Sequence, residues 1–328
     1  MPAVSIIVNI RNGAATLHAA LESALAQTFQ DWELIVWDDC STDDSAQVVA
    51  GFSDSRIRYF LAPQPTPLGQ ARNAAMRQAR GEWLAFLDQD DIWLPRKLEQ
   101  QLAIANDREV ALIYGRTVCF YEDGNECDYD RFHEFTPLPE GDITAELLSK
   151  GCFIAMSSAL IRHSAMRQIG DIPDHIHVTP DYFLYLGIAS TYQARAVQQV
   201  VCRYRMHSGS MTSVYRRETL AETLKLVEDS REFLSSAAYS QRRAHIATAL
   251  AIEEIRSPDT RAEGMRRLLK EGSLIWLASR PFAHAWRWIR RRLFRPYWKK
   301  AAAESPSQRT TQNSSLDGTP NGSGTRRS

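Results

Sequence analysis

Two short, largely apolar runs end abruptly in clustered acids, and this constrains the chain more than any other feature. Glu33 to Trp37 runs into Asp38-Asp39-Cys40-Ser41-Thr42-Asp43-Asp44, and Trp83 to Leu87 runs into Asp88-Gln89-Asp90-Asp91. Val4 to Ile10 and Ile57 to Leu61 are two further runs of the same length class. Apolar runs this short suit strands of a parallel sheet, which are buried on both faces. Between them Leu17, Leu21, Leu25 and Phe29 repeat every four residues, a helical stripe. Gly69 to Arg80 predicts a helix, with Gly81 as its C-terminal cap. The alternation predicts an α/β protein with a mostly parallel central sheet flanked by helices. In such sheets ligands bind beyond the carboxyl ends of the strands, which is where both acidic clusters fall.

The chemistry of those clusters is readable from the residue types. Three carboxylates within Asp88–Asp91 repel one another unless a cation or hydrogen-bond donors offset the charge. A hard divalent ion such as Mg²⁺ or Mn²⁺ takes oxygen ligands and keeps positions open for substrate phosphates. A metal–diphosphate site is therefore one reading, and a solvated turn capping a helix near Pro95 is the other. The strand end in front of the cluster favours the first. At Asp38-Asp39 a carboxylate could accept hydrogen bonds from a nucleobase or ribose, or could simply cap a helix.

The remainder of the chain is less uniform. Ala111 to Tyr121 and Phe153 to Ile161 predict strands, separated by a loop-rich stretch with Pro137, Pro139 and Gly141. Residues 216–300 are helical by pattern, and residues 301–328, rich in Ser, Thr, Asn, Gly and Pro, predict a disordered tail. The formal charge balances, with 39 Lys+Arg against 39 Asp+Glu, which argues against a chain-wide polyanion binder. That balance conceals a stretch at 280–300 holding eight Lys/Arg and no acid, interleaved with Trp286, Trp288 and Trp298. Such a composition suits an anionic membrane surface, or a surface helix whose tryptophans pack on the domain; it could also bind nucleic acid, which is not the expected partner. The five cysteines (Cys40, Cys119, Cys127, Cys152, Cys202) are odd in number and widely spaced, which predicts reduced thiols in the cytoplasm. The first residues carry no leader pattern, and no apolar run reaches the ~20 residues that span a bilayer.

The blocks Val4–Gly13, Leu25–Phe29, Trp32–Asp43, Ala71–Ala75 and Ala79–Pro95 occur in the order and spacing of glycosyltransferase family 2, which this sequence resembles. The resemblance is specific over residues 4–100 and weaker to about 212. It implies the GT-A fold, a nucleotide-diphosphate-sugar donor with UDP favoured, a divalent Mn²⁺ or Mg²⁺, and inversion at the anomeric carbon. The domain organisation it implies is a nucleotide-sugar-binding half at 1–110 and an acceptor and catalytic half at 111–215. A helical extension at 216–300 with its basic end would follow, then the tail at 301–328.

Carried over residue by residue, Asp39 matches the carboxylate that pairs with the donor base, with Asp38 beside it. Asn9, Arg11, Arg72 and Asp88 complete the expected nucleotide-binding set. Asp88 and Asp90 match the D-x-D positions, and Asp90 or Asp91 would touch the metal. Asp181, in Thr179-Pro180-Asp181-Tyr182, matches the general base on the acceptor hydroxyl, and an inverting transfer needs one such base. His207, in the stretch Arg203–Thr212, would ligate metal or contact the diphosphate. Asn9 and Arg11 stand where the family usually has Pro and Tyr, and Pro180 replaces the usual Glu. These departures point to altered specificity; a catalytically silent nucleotide-sugar-binding or membrane-scaffold protein is the alternative. The expected acceptor is a carbohydrate or lipid-linked sugar in bacterial surface polysaccharide or glycolipid assembly, met by an enzyme peripheral to the inner face of the cytoplasmic membrane.

Overall fold

The computed structural model describes residues 1–122, 124–125, 136–207 and 209–271. Strands β1 (Val4–Ile10), β2 (Trp32–Asp38), β3 (Ile57–Leu61), β4 (Trp83–Phe86), β5 (Ile92–Trp93), β6 (Val110–Tyr121), β7 (Leu160–Arg162) and β8 (Gln193–Met206) form one sheet. Helices α1 (Ala14–Leu25), α2 (Ser45–Ala50), α3 (Leu68–Met76), α4 (Lys97–Leu102), α5 (Thr144–Lys150), α6 (His163–Ile169) and α7 (Pro180–Ala189) alternate with them. Four more, α8 (Met211–Val214), α9 (Arg216–Asp229), α10 (Ser236–Arg256) and α11 (Arg261–Glu271), form the helical C-terminal part.

The sheet order is β3-β2-β1-β4-β7-β6-β8-β5. β3, β2, β1 and β4 are mutually parallel, with Ile7 opposite both Ile35 and Phe86. Alternate residues of β1 enter different cores. Ile7 packs with Ile35, Phe86 and α7, whereas Ile6, Val8 and Ile10 pack with Leu17 and Leu21 of α1. Burial on both faces explains why the strand reads as an unbroken apolar run. Leu25 ends α1 and Phe29 lies beyond it, both only partly buried.

The sheet is mostly parallel, as expected, with β6 also parallel to β8; β7 runs antiparallel to β4 and β6, and β5 antiparallel to β8. Two local expectations need correction. Phe153 to Ile161 is not one strand: Met156–Ser158 is a 3₁₀ turn and only Leu160–Arg162 is extended. The reason is polar. Ser157 turns inward to bond the acidic loop, and its carbonyl accepts the indole N–H of Trp93 at 2.6 Å. Helix α3 ends at Met76, short of Gly81. Gly81 passes against β1, where a Cβ would sit 2.5 Å from the Ser5 nitrogen, so close approach rather than capping requires glycine there.

The basic stretch 280–300, the tail 301–328 and Cys127 lie outside the described residues. Among the described residues no helix is long and apolar enough to cross a membrane.

Candidate active site

The parallel strands bring three loops together at their carboxyl ends: Arg11–Gly13 after β1, Asp39–Asp44 after β2, and Leu87–Asp91 after β4. Two residues there, Asn12 (φ 51°) and Cys40 (φ 60°), adopt the left-handed conformation that non-glycine residues rarely hold. Each directly follows a candidate contact, Arg11 or Asp39. Gln89 ties the loops to one another, accepting the Arg11 N–H at 2.9 Å and donating to the Arg11 carbonyl at 3.3 Å. On the far side, β5 pairs with β8 so that Ile92 faces Arg203. That register lays Arg205 and His207 beside Asp90 and Asp91.

A cavity of about 800 Å³ opens at this junction. Asn9, Arg11, Asp39, Arg72, Asp88, Asp90, Asp181 and His207 all line it, so eight of the residues singled out from sequence converge. Asp39 is buried. Its Oδ1 accepts the N–H and hydroxyl of Thr66 at 2.9 and 3.0 Å, and its Oδ2 lies 3.3 Å from Arg11 Nη1. Buried Arg72 donates to Asp88 Oδ1 at 3.0 Å. Withdrawal from water holds the Asp88 carboxyl above its ordinary range, against the pull of Arg72 and with Asp90 adding to the rise. Asp90 Oδ2 meets His207 Nε2 at 2.7 Å, and that bond holds the imidazole above its usual range. Among the described residues Asn9 Nδ2, buried beside the same cavity, has no hydrogen-bond partner.

Asp38 and Asp91 face the other way. Asp38 accepts the Ser41 N–H and the Tyr59 hydroxyl, both at 2.7 Å, and fixes the turn after β2. Asp91, 1 % exposed, accepts the Ser157 hydroxyl at 2.5 Å and the Arg205 N–H at 3.0 Å. Burial, with Asp90 and Asp88 nearby, holds its carboxyl well above the ordinary range. Neither residue is among those lining the cavity. Asp90 and His207 thus supply one oxygen and one nitrogen donor to the cavity. Among the described residues no three His, Cys, Asp or Glu side chains gather into a complete metal centre.

Asp181 sits in the first turn of α7, with Pro180 at the helix start. Its Oδ1 accepts the Tyr182 N–H at 2.8 Å, and its Oδ2 lies 3.7 Å from the Cys152 thiol. The other carboxylates of the cavity each have a basic neighbour: Asp39 has Arg11, Asp88 has Arg72, Asp90 has His207 and Glu218 has Arg217. Among the described residues Asp181 forms no ion pair. Thr66, Ser157 and Cys152 were not legible as site residues, because none lies in a motif; Gln89 sits inside the acidic motif, but like them it acts through a partner distant in sequence.

Comparisons with known proteins bear on the family and the fold. The model of the family described as Glycosyl transferase family 2 matches residues 5–170. A UDP-Glc:alpha-D-GlcNAc-diphosphoundecaprenol beta-1,3-glucosyltransferase of Escherichia coli is 33 % identical over 68 % of this chain and 85 % of its own length. A second Escherichia coli enzyme of the same description is 32 % identical over 64 % of this chain and 79 % of its own. Among solved structures, a mannosyltransferase from Pyrobaculum calidifontis in complex with GDP-Man and Mn²⁺ superposes with a TM-score of 0.57 at 18 % identity, covering 87 % of this chain and 80 % of that one. At such identity the likeness speaks to the fold, which is GT-A. With the family model matching residues 5–170, half of the chain, the protein belongs to glycosyl transferase family 2.

Proposed function

We propose that this glycosyltransferase moves a sugar from a nucleotide-diphosphate donor, a UDP-sugar by preference, to an acceptor hydroxyl with inversion. The observation that carries the reading is the distribution of partners among the cavity's carboxylates. Asp39, Asp88 and Asp90 are offset by basic side chains, which suits groups that bind and orient. Among the described residues Asp181 is held by an amide N–H and a thiol, with no ion pair, which suits a group that takes a proton. In this reading Asp39 accepts a hydrogen bond from the donor base, with Arg11 and Asn9 beside it. Arg72 keeps Asp88 in place beneath the diphosphate. Asp181 removes the proton from the acceptor hydroxyl as its oxygen bonds to the anomeric carbon, and the bond from that carbon to the diphosphate breaks. One displacement inverts the centre.

The donor set also suits a divalent cation. Asp90 and His207 offer two ligands, and Mg²⁺ or Mn²⁺ commonly takes one or two protein ligands together with substrate phosphates and water. When bound there, the ion would supply neutralisation of the departing diphosphate's charge. The names of the Escherichia coli relatives support a UDP-sugar donor and a lipid-linked acceptor, and hence a place in surface polysaccharide or glycolipid assembly. A lipid-linked acceptor would be met at the inner face of the cytoplasmic membrane. The basic stretch at 280–300 suits that surface by composition.

The test is sugar transfer from UDP-, GDP- and dTDP-sugars with Mn²⁺, with calorimetry of UDP binding alongside. Asp181→Asn should abolish turnover and leave UDP binding intact, and Asp90→Ala should remove the response to Mn²⁺. Full turnover by a folded Asp181→Asn protein would show that another group is the base.

A further inference from the structure

We propose that Glu222, on α9, is a positioning residue for Asp181, so that the helical C-terminal part sets the geometry of the transfer. This rests on Asp181 being the base. The argument starts at the amino end of α7. Its first residue, Pro180, has no N–H, and the side chain of Thr179 in front of it makes no capping bond to the helix. The chain before α7 therefore lacks the usual local means of holding its direction. It is held from outside instead. Glu222 Oε1 accepts the His177 N–H at 2.8 Å, and Oε2 accepts the Val178 N–H at 3.0 Å, the Thr179 N–H at 2.9 Å and the Thr179 hydroxyl at 2.9 Å. Four donors from three consecutive residues converge on one carboxylate. Hydrogen bonds to an ionised acceptor are the stronger kind.

The clamp has a fixed base. Leu224, Leu226 and Val227 of α9 are buried in the same core as Tyr182 and Tyr185 of α7, so α9 cannot rotate freely against it. The loop between α6 and α7 has a second tether at Ile172, whose N–H donates to Asn73 Oδ1 at 3.0 Å and whose carbonyl accepts from Asn73 Nδ2 at 2.9 Å. Glu222 is thus the tether at the end of the loop that carries the base. His177, Val178, Pro180 and Asp181 all line the cavity, whereas Glu222 does not. It touches the reaction only through the backbone that places Asp181. The donor side of the cavity hangs on other elements, Asp39 after β2, Asp88 after β4 and Arg72 on α3, and the Glu222 clamp bonds none of these three residues.

This separation gives the proposal its signature in a KM-against-kcat split. In full-length protein Glu222→Ala should lower kcat on the order of 100-fold, the scale of a misplaced catalytic group, while donor KM and UDP affinity stay near wild type. Glu222→Gln, which keeps one carbonyl oxygen toward the amides, should recover part of the lost kcat. It also carries the test if the alanine variant does not fold. Asp181→Asn is run beside them. If Asp181→Asn is inactive while folded Glu222→Ala and Glu222→Gln turn over like wild type, Glu222 does not position the base and the proposal is overturned. Full turnover by Asp181→Asn would instead overturn the base assignment, and the proposal with it. A Glu222→Ala protein that loses UDP affinity as much as kcat would show a general structural role, which also overturns the proposal.

Discussion

Asp91→Ala separates the two adjacent acids of the D-x-D-D loop by what each one holds. Asp91 is nearly inaccessible and accepts two hydrogen bonds, from the Ser157 hydroxyl and the Arg205 N–H. Alanine leaves both donors buried and unsatisfied, at about 1–3 kcal/mol each. Part of that loss is offset, because the variant no longer keeps a carboxyl out of water beside Asp88 and Asp90. The net expectation is a destabilisation of about 2–4 kcal/mol, read as a shift in the urea midpoint at unchanged slope. Ser157 also accepts the Asp88 N–H at 3.0 Å, so the loop should loosen with it. The response of sugar transfer to added Mn²⁺ should nevertheless persist, because Asp91 is not among the residues that line the cavity. Asp90→Ala should behave in the opposite way. Its carboxylate is a quarter exposed and paired with His207, so stability should fall by no more than about 1 kcal/mol, while the Mn²⁺ response vanishes. An Asp91→Ala protein as stable as wild type but indifferent to Mn²⁺ would refute the assignment of the two acids.

Two further outcomes follow from the same geometry. Asp39→Ala should weaken UDP binding by about 10- to 100-fold in calorimetry, the worth of one hydrogen bond to a charged acceptor; unchanged affinity would remove Asp39 from base recognition. Lys97, wholly buried with its Nζ 2.7 Å from Gln101 Oε1 and 4.2 Å from the Trp93 ring, is pulled down from 10.5 to about 7 by burial. Between those values the unfolded chain binds the extra proton, so stability rises with pH across that window. From pH 7 to 9 wild type should gain about 2 kcal/mol on Lys97→Met in urea titrations, and parallel profiles would refute it.

How much of this was legible in the sequence depended on whether a residue acts through neighbours in the chain or across the fold. β1 and β3 both fall on their expected runs, but only β1 is buried on both faces and announces itself by continuous apolarity, whereas β3 is a half-exposed edge strand. The strand ends were marked by acids because a loop at the carboxyl edge must leave the core. Phe153 to Ile161 misled for the converse reason. Its apolar residues do pack in the core, but Ser157 answers to Asp88 and Asp91, 69 and 66 residues away, and those bonds fold it into a turn. Gly81 misled similarly: a glycine near a helix end reads as a cap, and only the register against Ser5 reveals the close approach. Glu222 was illegible altogether, since nothing in α9 marks one glutamate among several.

The doubled acids show where the limit lies. Asp38-Asp39 and Asp90-Asp91 are each adjacent in sequence and opposite in direction, the first pair at the end of β2 and the second in a turn closed by the Asp91 N–H on the Asp88 carbonyl at 3.1 Å. One member of each pair lines the cavity, Asp39 and Asp90. The other, Asp38 or Asp91, turns into the protein and is 1 % exposed. There each accepts one backbone N–H and one side-chain hydroxyl: Asp38 from Ser41 and Tyr59, Asp91 from Arg205 and Ser157. The inward acid fixes the loop, and the fixed loop aims the outward acid. Composition cannot say which is which, because the two roles use the same side chain and differ only by one step along the backbone. A change at an inward acid should therefore appear first in stability, and a change at an outward one first in binding. That ordering holds for both pairs or the common logic fails.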